Sequence, residues 1–343
     1  MYAKNGEKYF IVDSHIHMWD ASPENWVKGQ EQYAKGWIEC FHAYMGLGPA
    51  ETHWPLEKFM KYSEADFEKD VFEDAGVDVG ILQSTYLKEW YTDGFNTAER
   101  NGAMAEKHPG KLIVNGRFDP RDGEAGLKQL EEDAKRWNLQ GVKLYTAEWN
   151  KGSRGWRLDD DATQPFFDKC KELGIKNLHV HKGPTIWPLD KDAFDPRDVD
   201  KAATDNPELN FIIEHVGLPR LDDFCWIAAQ ESNVYAGLSV ASAFVHSRPR
   251  YFGEILGNLL FWLGPDKICF GSDYAIWSPK WIIDKFMAYQ LPDDLKDEYH
   301  ADLTPEVKRK ILGENTARLY GIDIGAQTTK LSRDEIGAAL ASA

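Results

Sequence analysis

The sequence predicts an α/β protein, a (β/α)₈ TIM barrel formed by a single domain of the 343-residue chain. Short β-rich runs alternate with amphipathic helical stretches along the chain, a pattern typical of a parallel sheet covered by helices. Eight such runs are present. No Gly-x-Gly-x-x-Gly motif follows the first of them, so a closed barrel is favoured over an open dinucleotide-binding sheet.

The eight predicted strands are short and rich in apolar residues. They are predicted at Phe10–Met18, Val79–Thr85, Lys111–Phe118, Gly141–Tyr145, Ile175–Lys182, Leu209–Gly217, Asn233–Ala241 and Ile268–Asp273. Amphipathic helices are predicted at Glu64–Asp74, Glu124–Trp137 and Ala162–Leu173, before the second, fourth and fifth strands. Barrel enzymes collect their catalytic groups at the carboxyl ends of the strands, so we searched those ends for chemistry.

Two segments interrupt this alternation. Residues 19–62 form a long insertion after the first strand, rich in Trp, Phe and Tyr, and they exceed a usual βα loop. A long aromatic insertion at the catalytic end predicts a lid or a subunit contact, with a small satellite core as the alternative. The barrel domain is predicted over residues 1–326, and residues 327–343 are predicted to be a C-terminal tail, either a peripheral helix or a partner-binding arm.

Charge and composition exclude several classes of function. A net charge of −16 argues against nucleic-acid or anionic-membrane binding, because both partners would be repelled. No apolar run is long enough to span a bilayer, and the first ten residues lack the apolar core of a signal peptide. The four cysteines lack metal-binding spacing and are expected to be free thiols of a reducing compartment, so we expect a cytoplasmic protein.

The first strand ends with the run Asp13-Ser14-His15-Ile16-His17. Alternate residues of a strand share a face, so both imidazoles should point into the barrel mouth, about 7 Å apart along the strand. Two neutral imidazoles on one face are suitable ligands for a divalent metal. A His-x-His pair is a weak signal alone, since many such histidines are surface or packed residues. Its place at the end of an apolar strand strengthens it.

Three other strand ends also carry histidine or aspartate. They are Asn177-Leu178-His179-Val180-His181 on the fifth strand, Ile213-Glu214-His215 on the sixth and Gly271-Ser272-Asp273 on the eighth. Each alone could be a satisfied core histidine or a helix-capping aspartate. Four strand ends that agree on one barrel mouth are a much stronger signal, and together they predict a metal site.

These motifs, together with the closing run Gly313-Glu314-Asn315-Thr316-Ala317-Arg318-Leu319-Tyr320, resemble the amidohydrolase superfamily. The resemblance spans roughly Val12 to Ile322 and leaves out the aromatic insertion. The branch it resembles most contains aminocarboxymuconate-semialdehyde decarboxylase and the resorcylate-type decarboxylases. The resemblance implies that one divalent transition metal is bound by His15, His17, His181 and Asp273. It also implies that His215 is the catalytic histidine, or a ligand if two metals bind.

Lys143 departs from the mononuclear pattern. It lies on the predicted fourth strand, where dinuclear amidohydrolases keep a carboxylated lysine that bridges two metals. Burying an unpaired ammonium is costly, so the alternatives are a pair with Asp119 or Glu148, or contact with an anionic substrate. His179, one layer below His181, is another possible ligand or a hydrogen-bond donor behind the ligands. The predicted metal count is therefore one or two.

Two further residues are candidates for substrate binding. Arg117 is expected to face the lumen in phase with Asp119 and to clamp a carboxylate with its bidentate fork. An Arg–Asp pair that closes the bottom of the barrel is the alternative. Tyr145 lies just past a strand end and is expected to line an apolar pocket, although aromatic residues in such loops often serve packing only.

Three reactions fit such a site. In a decarboxylase acting on a small carboxylic acid, His215 or Asp273 would protonate carbon as CO₂ leaves. In a hydrolase, Asp273 would accept a proton from metal-bound water. In an oxygenase, a dinuclear iron or manganese site would activate O₂. Decarboxylase or hydrolase ranks first, with zinc, or with iron or manganese if two ions bind. A catalytically silent partner of a related active subunit is the non-enzyme alternative, and we expect a homodimer or an assembly with such a subunit.

Overall fold

Eight parallel strands form the centre of the molecule, and each pairs with the next one along the chain. The computed structural model describes residues 1–4 and 6–329. In chain order the strands are β1 (Val12–Ile16), β2 (Val79–Leu82), β3 (Leu112–Gly116), β4 (Gly141–Leu144), β5 (Asn177–His181), β6 (Asn210–Glu214), β7 (Val234–Gly237) and β8 (Ile268–Cys269). The barrel closes between β1 and the end of β8, where Ser14 N–H donates to the Phe270 carbonyl over 3.0 Å and His17 N–H donates to the Tyr274 carbonyl over 2.8 Å.

The predicted fold class is therefore confirmed, and each of the eight predicted strand segments contains one observed strand. The observed strands are shorter because the predicted ranges include loop residues, most of them at the carboxyl ends. At the end of β6, for example, His215 and Val216 have φ angles of 62° and 49°. These angles lie in the left-handed region, which ends the extended conformation of the chain.

Helices occupy the connections between the strands. The α-helices span Glu31–Ala43, Leu56–Met60, Glu64–Phe67, Ala98–Lys107, Gly123–Trp137, Gln164–Glu172, Asp198–Asp205, Leu221–Gln230, Phe244–Ser247, Pro249–Leu263, Pro279–Ala288, Asp293–Tyr299, Pro305–Arg309 and Asn315–Tyr320. π-Helical turns span Glu68–Asp74 and Lys310–Glu314.

The three predicted helices are all present, with small shifts of their ends. The helix predicted at Glu64–Asp74 is an α-helix followed by a π-helical turn. It begins at a capping box in which Ser63 and Asp66 exchange side-chain to backbone hydrogen bonds. The helix before β4 ends at Asn138, whose φ of 49° is left-handed and whose N–H donates to the Ala134 carbonyl.

The long aromatic segment packs directly on the barrel. In the helix Glu31–Ala43, Trp37 and Phe41 are buried, and they belong to the same hydrophobic core as the barrel residue Tyr145. The ring centroids of Trp37 and Tyr145 are 5.9 Å apart. These aromatic side chains therefore extend the barrel core over the mouth, and they do not form a separate satellite core.

Several other features complete the described part of the chain. An antiparallel hairpin of Tyr2–Lys4 and Glu7–Tyr9 precedes β1; the sequence analysis does not predict it. The four cysteines are free, as expected. Among the described helices, none combines the length and the apolar character needed to cross a membrane. Most of the predicted C-terminal tail, residues 330–343, lies outside the described residues.

Candidate metal centre

The residues predicted at four strand ends line a single cavity at the carboxyl end of the barrel. Its polar wall is formed by His15, His17, Lys143, Tyr145, His181, His215 and Asp273. The rest of the lining is Trp37, Phe41, Thr85, Phe95 and Ile186. The cavity measures about 30 Å³, which is room for roughly two water molecules.

A first group of donors comes from the two ends of the barrel sheet. His15 and His17 stand at the end of β1, and Asp273 follows β8. The Asp273 Oδ1 atom is 3.3 Å from His17 Nε2 and 3.7 Å from His15 Nε2. The ring centroids of the two histidines are 4.9 Å apart, closer than the spacing along the strand because the rings lean together. One ligand atom from each of these three buried residues lies within 4.8 Å of the others, so the group could hold a metal ion.

The outer ring nitrogens of both histidines face hydrogen-bond acceptors. His15 Nδ1 is 2.9 Å from Glu214 Oε2, and His17 Nδ1 is 3.1 Å from the Gln83 carbonyl. With the proton on Nδ1, each ring keeps its Nε2 lone pair towards the cavity. Metal-binding histidines are usually oriented by such an acceptor behind the ring.

A second pair of donors is formed by His181 and His215. Their facing nitrogens, His181 Nδ1 and His215 Nε2, are 2.9 Å apart. The opposite nitrogens both face backbone carbonyls: His181 Nε2 is 3.2 Å from the Pro184 oxygen, and His215 Nδ1 is 3.0 Å from the Ser239 oxygen. A carbonyl only accepts hydrogen bonds, so both carbonyls are satisfied when each ring carries its proton on the outer nitrogen.

That arrangement leaves two imidazole lone pairs pointing at each other, which is unfavourable unless a cation lies beside them. Burial lowers the pKa of both His181 and His215, so neither ring is expected to carry an additional proton. Two metal–nitrogen bonds of about 2.05 Å would place the nitrogens about 3.3 Å apart at a tetrahedral angle and about 2.9 Å apart at a right angle. The spacing between the two rings matches a cation held by both at a right angle, and it also matches an N–H···N hydrogen bond between them.

Lys143 lies between the two groups of donors. It is 1% exposed, and its Nζ atom is 3.3 Å from His15 Nε2. Burial lowers its pKa to about 8. The alternative ion pairs do not form, because Asp119 pairs with Arg121 and Glu148 pairs with Arg117. Val142 and Leu144, its neighbours on β4, belong to the hydrophobic core, as strand alternation predicts.

The two predicted substrate-binding residues have different positions. Tyr145 lines the cavity, and its buried hydroxyl has no hydrogen-bond partner within the described residues. Arg117 lies outside it, in a separate cavity of about 230 Å³. There its guanidinium is 3.2 Å from Glu148 and 3.5 Å from Asp122. This placement favours an ion-pairing role, and carboxylate binding by Arg117 stays a prediction.

Glu214 is a site residue that the sequence analysis does not single out. It is fully buried and contacts His15, His179 and Ser239. Burial alone would raise the pKa of Glu214, but His15 and His179 hold it well below its ordinary value. Strand alternation offers a signal, since Ile212 and Glu214 share one face of β6. His215 also reaches the cavity because its left-handed backbone interrupts the alternation.

The barrel and its buried histidine–carboxylate cavity define an amidohydrolase-fold protein with a candidate metal centre. The chain belongs to the amidohydrolase family, whose model matches residues 12–322. No match is found among curated proteins.

Solved structures show the same fold at low identity. An uncharacterized TIM-barrel protein from Bordetella bronchiseptica has 18% identity and a TM-score of 0.67, covering 91% of this chain and 98% of that one. A 5-carboxyvanillate decarboxylase from Novosphingobium aromaticivorans, complexed with manganese and 4-hydroxy-3-methoxy-5-nitrobenzoic acid, has 14% identity and a TM-score of 0.55, covering 91% and 96%. A putative 2-pyrone-4,6-dicarboxylic acid hydrolase from Pseudomonas putida has 15% identity and a TM-score of 0.56, covering 93% and 100%.

Proposed function

We propose that this chain is a metal-dependent enzyme that removes CO₂ from a small aromatic carboxylic acid. The observation that carries the proposal is that one cavity is lined both by histidine and aspartate side chains that could bind a metal and by aromatic and aliphatic ones. An apolar wall suits a planar ring, while a few placed polar groups orient the carboxylate. The manganese-containing decarboxylase of the same fold, with its bound nitrobenzoic acid, supports this substrate class.

The proposed metal ligands are His15, His17 and Asp273, with His181 and His215 as the second group. A bound metal would supply a Lewis acid that holds and polarises substrate oxygens. Tyr145 is proposed to donate its free hydroxyl to a substrate oxygen, because a buried hydroxyl without a partner is costly.

Asp273 is proposed to carry the proton. Burial alone would raise its pKa, but the nearby His15 and His17 hold it below the ordinary value, so the carboxylate is ionised at neutral pH. It can therefore accept the proton of a substrate hydroxyl. It then returns that proton to the ring carbon as the bond to the carboxylate breaks and CO₂ leaves. His215 is the second candidate for this role.

The cavity is too small for an aromatic acid as it stands, because small-molecule sites usually enclose about 300 Å³ or more. We therefore propose that the helix Glu31–Ala43, which places Trp37 and Phe41 on the cavity, moves when substrate enters. This is the lid role predicted for the aromatic segment.

The direct test is turnover by protein loaded separately with manganese and with zinc. Hydroxylated benzoic acids would be assayed for CO₂ release, with Asp273→Asn beside the wild type and exposed His246→Ala as the matched control. We expect activity to fall about a hundredfold to ten-thousandfold in Asp273→Asn, with folding unchanged by circular dichroism. An Asn variant that turns over at the native rate would contradict the proton-transfer role.

Hydrolysis is the second candidate, and the position of Lys143 favours it. A lysine carbamate at this place could bridge two ions, one on each group of donors, as in dinuclear hydrolases. Metal quantification of the wild type beside Lys143→Ala tests the count. Two ions in the wild type and one or none in Lys143→Ala would support the carbamate bridge. One ion in both proteins would support the mononuclear decarboxylase.

Two iron or manganese ions together with O₂ consumption would instead favour the oxygenase alternative. A full metal content without turnover on carboxylic acids, lactones or O₂ would favour the silent partner.

A further inference from the structure

A buried polar layer lies directly beneath the proposed metal ligands. His179 precedes His181 by two residues on β5 and points to the same side of the strand. Glu214 ends β6 beside it. Tyr320 comes from the α-helix Asn315–Tyr320, and its hydroxyl reaches the barrel interior. The side chains of these three residues are buried, and the proposed decarboxylase chemistry does not use them.

The hydrogen bonds of this layer converge on Glu214 from two sides. Asn115 donates to the Tyr320 hydroxyl over 2.8 Å, and that hydroxyl is 2.9 Å from His179 Nε2. His179 Nδ1 is 2.5 Å from Glu214 Oε1. The other oxygen of Glu214 is 2.9 Å from His15 Nδ1.

Donor counting fixes the protons along this path. An ionised carboxylate only accepts hydrogen bonds, so both histidines donate to Glu214 from Nδ1. His179 Nε2 then holds a lone pair, which accepts the Tyr320 hydroxyl. In this arrangement both nitrogens of His179 are hydrogen-bonded, and binding of a metal by His179 would require one of these bonds to break. His15 keeps only its Nε2 lone pair, and that atom faces Lys143 and Asp273 in the cavity.

We infer that Tyr320, His179 and Glu214 form a positioning chain, which holds His15 in its Nδ1-protonated form and presents Nε2 to the metal. The inference rests on the proposed metal site and adds residues behind it. It gives the run Gly313–Tyr320 a role, since Tyr320 connects the helix Asn315–Tyr320 to a proposed ligand on the first strand. Residues that orient a metal-binding histidine typically change metal affinity by about tenfold to a hundredfold.

The same atoms could instead bind a metal ion directly. Ligand atoms of His15, His179 and Glu214 also lie within 4.8 Å of one another, close enough to hold an ion. Such an ion would take the Nδ1 lone pair of His15 and would require the proton on Nε2. The protonated nitrogen of His15 therefore separates the two arrangements without any measurement of turnover.

The test is nitrogen-15 and carbon-13 NMR of histidine-labelled full-length protein, with the His15 signals assigned from His15→Gln. The metal-free wild type should show the Nδ1-protonated form. In Glu214→Gln we expect part or all of the signal to move to the Nε2-protonated form, because a glutamine amide has one accepting oxygen and one donating NH₂, so it can accept from only one of the two rings. The dissociation constant for manganese, measured against a competing chelator, should rise about tenfold to a hundredfold.

Tyr320→Phe removes one oxygen and keeps the ring, so it carries the test if Glu214→Gln does not fold. It should raise the manganese dissociation constant by a smaller factor. Asn177→Ala is the matched control. Asn177 is also a buried polar residue of β5, but it is hydrogen-bonded to Leu319 and Asn210, which do not belong to the positioning chain. Its affinity should equal that of the wild type. An Nε2-protonated His15 in the wild type, or unchanged affinity in both test variants, would overturn the inference. Failure of the substrate assays alone would leave these measurements intact.

Discussion

Metal binding is expected to raise the thermal stability of this protein, because the proposed ligands converge only in the folded barrel. His15 and His17 are far from Asp273 in the sequence, because the first strand carries the two histidines and Asp273 follows the eighth strand. At a free metal concentration of about a thousand times the dissociation constant, binding stabilises the folded state by about 4 kcal/mol. The entropy of unfolding of a 343-residue chain is roughly 0.7 kcal/mol per kelvin. The melting temperature should therefore rise by about 6 °C.

His17→Ala tests the assignment of this increase. Each tenfold loss of affinity removes about 1.4 kcal/mol, or roughly 2 °C of the shift. Loss of a direct ligand should therefore abolish most of the increase at the same manganese concentration. Melting would be followed by scanning calorimetry with a chelator and then with added manganese or zinc. The control is His246→Ala, which changes an exposed histidine and should keep the full shift. A metal-induced shift of wild-type size in His17→Ala would refute the site.

Two other variants test packing and ion pairing. Trp37→Ala should destabilise the protein by about 3–5 kcal/mol, since it removes a fully buried ring. The control, Trp226→Ala, changes a residue that is 63% exposed and should change stability by less than about 0.5 kcal/mol. Equal melting temperatures of the two variants would contradict the covering role of the helix Glu31–Ala43. Arg117→Met should cost about 3–5 kcal/mol in denaturant unfolding, because it leaves the buried Glu148 carboxylate without its partner. A stable Arg117→Met variant with a raised KM would instead support substrate binding by Arg117.

The fold could be predicted because barrel strands are buried on both sides and stand out as short apolar runs. The position of the candidate site follows from the same rule, since Val142 and Leu144 pack into the core and leave Lys143 in the lumen. The side chains at the strand ends then meet because all eight strands run in one direction.

What the sequence does not reveal depends on breaks in the regular backbone and on distant contacts. Strict alternation would place Glu214 and His215 on opposite faces of the strand. Both face the interior, because His215 has a left-handed φ of 62°. The backbone of Asp273 also has a left-handed conformation, with a φ of 61°. Arg117 follows β3 and bonds to Glu148 beyond β4, a pairing set by loop geometry. The contact between Tyr320 and His179 joins residues 141 positions apart, and no local pattern predicts it.

The first and last strands meet at the proposed metal site, and this has a consequence for how the protein matures. During synthesis, the nascent chain acquires His15 and His17 with the first strand, but it gains Asp273 only after all eight strands are made. Complete coordination by the first group is therefore a late event, after most of the barrel has been synthesised. Once bound, the ion would cross-link two distant parts of the chain, where ordering a long loop costs the most entropy. Loss of the ion should accordingly loosen the protein first at the junction of β1 and β8, and amide hydrogen exchange should report that opening there before it appears elsewhere.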